Sequence, residues 1–174
     1  MVFAPQGPPA ERVVGHLPAE TIEAGRGIFG GARRRQVNLV VTNTRLLCLQ
    51  ETEDTNTAWL AETERLEQEA ARSGVPWRTL IDHYPWDGPP WAAFYRTPPD
   101  TLLAADNRNW AIPVHAIVKA SVTLDPERDQ LQLLMDNGQV LSFQLFNLVG
   151  TAAARFLTQV LGPTRVRFSP HPLG

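Results

Sequence analysis

A chain of 174 residues, 43% hydrophobic and 20% charged, is long enough for one domain with a full core and cramped for two. Sixteen basic against 18 acidic side chains leave a net charge of -2, which argues against a general nucleic-acid binder. One cysteine, Cys48, excludes an internal disulfide and any cysteine-rich zinc site.

The opening residues, Met1 to Pro9, carry neither a basic n-region nor a continuous apolar h-region, so no secretory signal is expected. No later run approaches the roughly 20 apolar residues of a membrane-spanning helix. A cytoplasmic location is the resulting expectation. Val13 to Pro18 forms a short apolar lead-in, and Glu20 to Phe29 reads as a first strand ending in Gly30-Gly31. Val37, Leu39 and Val41 then alternate with Asn38, Val40 and Thr42, a period-2 pattern rich in β-branched residues. Asn43-Thr44 makes a tight turn, and Arg45 to Gln50 returns as the next strand.

The chemistry changes in the middle of the chain. Residues 1–50 hold six arginines against three glutamates, whereas residues 51–100 hold four arginines against ten acids and six of the 15 prolines. This stretch reads as a helical, Trp- and Pro-rich insertion within a single domain spanning 1–174. Trp59 to Ala71 is a predicted helix, with Asn56 or Thr57 as its N-cap and Ser73-Gly74 as its stop. A second short helix is predicted from Pro76 to Leu80.

Strands resume beyond the insertion, giving predicted strand regions at about 19–50 and 101–146. Ile117 to Leu124 is one strand, and Asp125 to Asp129 a turn. Leu131 to Asp136 and Val140 to Phe146 flank Asn137-Gly138, which suits a type I′ hairpin. The last element, Leu148 to Leu161, places Ala153, Phe156, Leu157, Val160 and Leu161 at helical spacing before Gly162-Pro163. The proline-rich tail beyond it is expected to fray.

The order of these elements carries a family resemblance. Leu39-Val40-Val41-Thr42-Asn43-Thr44-Arg45-Leu46-Leu47 resembles the "LxVTNxRLL" hairpin of bacterial pleckstrin-homology-like and GRAM-like domains. Ile112-Pro113 through Ile117 to Val122 is similar to the family's "IPxxxIxxV" segment. The likeness covers roughly residues 12–50 and 100–162. It implies a mainly β (α+β) fold: a seven-stranded bent barrel, partly open, capped by the C-terminal helix. The insertion is a departure for which the resemblance implies no function.

Two groups of residues are candidates for binding. The first is Arg26, Arg33, Arg34 and Arg35, gathered at one rim if they form the first inter-strand loop. Pleckstrin-homology domains place basic residues around this loop to grip phosphoinositide phosphates, and the planar guanidinium binds phosphate oxygens bidentately. That makes an anionic lipid headgroup one possible ligand; a solvated rim that blocks edge pairing is the other reading. In an extended chain Arg33 and Arg35 share a face, with Arg34 opposite. The second group is aromatic: Trp59, Trp77, Trp86, Trp91 and Tyr95, part of a cluster that also contains Trp110. Such rings serve either as a protein-binding or self-association surface or as anchors that pack the insertion on the barrel.

No catalytic constellation emerges. Gly25 to Gly30 matches G-x-G-x-x-G, but a β-rich run follows where dinucleotide binding needs a helix. His16, His83, His115 and His171 show no metal-ligand spacing and no nucleophile beside them, and are expected to be surface or half-buried residues. Cys48 is expected to be a buried, inert thiol. No cofactor and no metal are expected. The leading expectation is a non-catalytic module that binds a protein partner or a second copy of itself; a peripheral lipid or phosphate binder is the alternative.

Overall fold

The computed structural model describes residues 10–23, 33–146 and 149–170. Its strands are β1 (Val13–Glu23), β2 (Arg33–Thr42), β3 (Arg45–Gln50), β4 (Trp110–Pro113), β5 (Ile117–Thr123), β6 (Asp129–Met135), β7 (Val140–Leu145) and β8 (Val166–Ser169). They form one mixed sheet in the order β4-β3-β2-β1-β7-β6-β5-β8. Four helices lie between β3 and β4: α1 (Glu53–Ser73), α2 (Trp77–Asp82), α3 (Ala92–Arg96) and α4 (Pro99–Ala104); α5 (Gly150–Leu161) follows β7. The fold is α+β. Among the described residues no helix is long and apolar enough to cross a membrane.

β1 begins seven residues before the expected Glu20, because the supposed lead-in Val13 to Pro18 is itself strand. Its alternation is hidden. Residues 15–19 are all buried, so neither face carries the polar half of a period-2 pattern. Pro18 fits because β1 pairs with β7 only from Ala19 onward, leaving residue 18 bordered by β2 alone. β3 shows the same two-sided burial: Leu46, Leu47 and Cys48 are fully enclosed. Each such leucine contributes roughly 1.5–3 kcal/mol.

The β6–β7 hairpin differs in its turn. Gly138 N–H donates to the Met135 carbonyl and Met135 N–H to the Gln139 carbonyl, so the turn centres on Asp136-Asn137. Gly138 then takes a φ of 81°, the geometry of a three-residue loop rather than a two-residue type I′ turn. Asn137 supports it by accepting from Gln139 N–H at 2.9 Å.

The α1 cap also lies upstream of its expected place. Thr52, not Asn56 or Thr57, accepts from Thr55 N–H at 3.2 Å, and the Thr55 hydroxyl accepts from Thr52 N–H at 2.9 Å. This reciprocal pair is a capping box with threonine in the place of the usual glutamate. The tail is not frayed through residue 169: Val166–Ser169 pairs in parallel with Ala120 to Thr123. Arg165 holds the approach, donating to the Leu161 and Ile117 carbonyls at 2.9 and 3.0 Å.

Helix α5 buries Ala152, Ala153, Phe156, Leu157 and Leu161 against the sheet. It meets β1 at Gly15, where an added Cβ would lie 2.5 Å from the Phe156 ring. The buried side chains of sheet and insertion form one continuous cluster.

Candidate functional site

At the other end of β1 from Gly15 the sheet opens into a groove of about 760 Å³. Thr21 and Ile22 of β1, Arg35 of β2, all four residues of β4, and Met135, Asn137, Gln139 and Val140 to Phe143 line it. Three strands separate β4 from β7 in the ladder, yet both face one groove, so the sheet curls back on itself. The volume is that of a binding cleft.

The register decides which arginine enters. Thr21 stands opposite Arg35 on one side and Phe143 on the other, and residues directly opposite share a face. The Thr21 hydroxyl donates to the Arg35 carbonyl at 3.4 Å. Arg34 belongs to the other face. Its guanidinium lies 3.5 Å from both the Glu20 carboxylate and the Gln144 amide oxygen, where Arg128 also approaches. The backbone of Arg33 pairs with Glu23, and Arg26, with the whole of Gly25 to Gly30, lies outside the described residues. Arg33, Arg34 and Arg35 are thus strand residues, not loop residues, and Arg34 and Arg35 do not act on one face. Among the described lining residues Arg35 is the only charge. No carboxylate, imidazole or thiol lines the groove there, and no three His, Cys, Asp or Glu of the described residues gather as metal ligands.

The tryptophans of the insertion lie elsewhere. Trp59, Trp86 and Trp91 are 5%, 5% and 1% exposed, so as the chain stands they present no surface to a partner. Their rings surround His16 of β1, with centroids 5.9, 5.5 and 4.9 Å from the imidazole; Phe94 and Tyr95 complete the enclosure at 5.1 and 5.7 Å. Trp59 Nε1 donates to Asn38 at 3.3 Å, and Trp91 Nε1 to the Tyr84 hydroxyl at 2.7 Å. That hydroxyl in turn donates to Glu62 at 2.8 Å. Trp77 and Tyr95 are half-buried and pack against the same core. The cluster fastens the insertion to the sheet.

His16 corrects a further expectation, being fully buried rather than a surface or half-buried residue. Its Nδ1 lies 3.2 Å from the Tyr95 hydroxyl, and Nε2 has no hydrogen-bond partner among the described residues. Burial pushes its pKa down to about 3, so the ring is neutral. His83 and His115 are exposed, and His171 lies outside the described residues. Burial pushes the Cys48 thiol up, which keeps it protonated.

The groove thus unites one expected arginine, Arg35, with Trp110, which the sequence grouped with the aromatic cluster. That Thr21, Ser142 and the edge strand β4 meet there gave no sequence signal, because ladder order brings them together from distant parts of the chain. No protein-family model and no curated protein matches the chain.

Proposed function

We propose that the chain is a non-catalytic binding module on a pleckstrin-homology-like barrel, engaging a protein partner at the groove rather than through its insertion. The fold assignment is supported by the ladder from β4 to β1 and from β7 to β5, and by a helix packed across it immediately after β7. The insertion and β8 depart from that pattern. The observation that carries the reading is a groove of about 760 Å³ whose described lining is apolar and neutral-polar apart from Arg35. Such a lining suits recognition; it offers no general base beside Thr21 or Ser142.

A photo-crosslinking amino acid at Val140, in the groove, compared with one at the exposed Leu60 of α1, tests it. Adducts specific to Val140, in extracts of the cells that express the chain, are expected, and they should weaken in Arg35→Gln. A mass of two chains would identify a second copy as the partner. Equal labelling from both positions would sink the reading.

Arg35 also favours a second reading, an anionic headgroup held beside Thr21. Co-sedimentation with anionic vesicles that falls with salt and is lost in Arg35→Gln, but kept in Arg34→Gln, would establish it.

A further inference from the structure

We infer that the groove takes an extended peptide segment of a partner protein, which adds to the free edge of β4 and sets an acidic side chain against Arg35. This rests on the groove being a protein-binding site.

The argument begins with hydrogen-bond parity. Val114 N–H donates to the Thr44 carbonyl at 2.9 Å, and the β3–β4 register continues as Arg45↔Pro113, Leu46↔Ile112, Leu47↔Ala111 and Cys48↔Trp110. Bonded and non-bonded pairs alternate in an antiparallel ladder. Ile112 and Trp110 therefore bond to β3, while Ala111 and Pro113 turn their backbone groups the other way. β4 is the terminal strand of the sheet, so no strand among the described residues pairs with that side. The proline agrees with this parity: its missing N–H falls on the open edge, where no ladder bond is lost. Ala111 is left with one donor and one acceptor, the pair an added strand would use, and Pro113 with an acceptor.

The walls say what kind of strand. Apolar surface from the half-buried Trp110 and the exposed Val140 suits the side chains of an extended peptide. Arg35 is exposed, is the only charge in the described lining, and has no ion pair among the described residues. A single acidic side chain complements it. A phosphorylated headgroup would bring several charges to one guanidinium and would leave the Ala111 edge unused.

The test uses the full chain and two libraries of N-acetylated, C-amidated octapeptides, one with glutamate and one with glutamine fixed at a central position. The glutamate library should yield binders. Their affinity should drop roughly five-fold in Arg35→Gln, as for an exposed ion pair, while glutamine peptides are indifferent to that change. Amide exchange at Ala111 should slow on binding. N-methylation of peptide bonds in one alternating register should abolish binding, and in the other leave it unchanged; this arm needs no protein variant. Binders that neither protect Ala111 nor respond to N-methylation would overturn strand addition while leaving groove binding in place. If neither library yields a binder while phosphatidylserine vesicles bind through Arg35, the peptide inference fails and the groove survives as a site. If peptides and vesicles both fail, and Val140 crosslinks nothing, the inference and the reading beneath it fall together.

Discussion

Arg78, on the insertion's second helix, grips the carboxylate of Asp129, on the sheet, through two hydrogen bonds of 2.8 and 2.9 Å. The carboxylate is fully buried and also accepts from Asp125 N–H at 3.0 Å and Gly150 N–H at 2.8 Å. One side chain therefore ties together α2, the β5–β6 turn and the start of α5. Arg78 also donates to the Asp125 carbonyl at 2.9 Å, closing the ring of contacts.

Removing the guanidinium leaves a buried charge with backbone donors alone. Arg78→Met is expected to cost roughly 2–3 kcal/mol, below the 3–5 of a fully enclosed pair because Arg78 itself is 31% exposed. Urea titration of Arg78→Met, Asp129→Asn and the double variant should give a coupling of at least 1 kcal/mol, by the logic of a double-mutant cycle. Additive losses would mean that the bidentate contact contributes little.

Trp91 gives the corresponding test for the aromatic enclosure. It is 1% exposed, lies tilted against Trp59 at 4.3 Å, stacks on Phe94 at 6.3 Å, and donates to Tyr84. Trp91→Ala should cost about 3–5 kcal/mol. Trp91→Phe keeps much of the apolar volume and should lose distinctly less. Free quenching by iodide of the part of the native fluorescence that Trp91→Phe removes would contradict the burial.

What could be read from sequence divides along local and non-local lines. The Val37–Gln50 hairpin was legible because an apolar run is interrupted once, by Asn43-Thr44, and Thr42 closes the turn by donating to the Arg45 carbonyl at 2.8 Å. The β6–β7 pair and the body of α5 were legible for the same reason, since their periodicity is one-sided. The first half of β1 was not, because insertion and core cover both its faces and leave no polar alternation around His16. β8 escaped notice as four residues beyond Pro163 whose only strand partner among the described residues, β5, lies more than 40 residues earlier. The alternation that sets Arg34 against Arg35 was legible, but not which of the two faces meets the groove. Only the pairing of Thr21 with both Arg35 and Phe143 reveals that Arg35 faces the groove and Arg34 does not.

The buried imidazole makes stability depend on pH. With the folded-state pKa of His16 near 3 and the unfolded value near 6.5, the unfolded chain binds a proton in this window that the folded chain refuses. Stability is therefore full above about pH 6.5 and falls as pH drops toward 3, by up to about 1.4 kcal/mol per unit. Between pH 7.5 and 5 the contribution from His16 is roughly 2 kcal/mol. Urea midpoints at these two pH values should converge for His16→Phe relative to the unaltered chain. An unaltered pH slope in the variant would show that His16 charges without unfolding the site.

The contact between Gly15 and Phe156 fixes how closely α5 sits on β1. A methyl group at residue 15 would fall 2.5 Å from the ring, well inside any tolerable separation, and the ring is itself 6% exposed with little room to turn. Trp86 stands edge-on to it at 5.8 Å, and the Arg155 guanidinium lies over it at 5.2 Å. Gly15→Ala should therefore destabilise by about 1–3 kcal/mol as an overpacking change, although alanine is otherwise the better strand residue. Phe156→Leu alone should also destabilise, by loss of buried area. The double variant should recover part of the Gly15→Ala loss, because leucine vacates the space the methyl needs. Denaturation midpoints of the four proteins decide it: a double variant worse than the sum of the singles would mean that the helix is displaced from β1 rather than crowded by one ring.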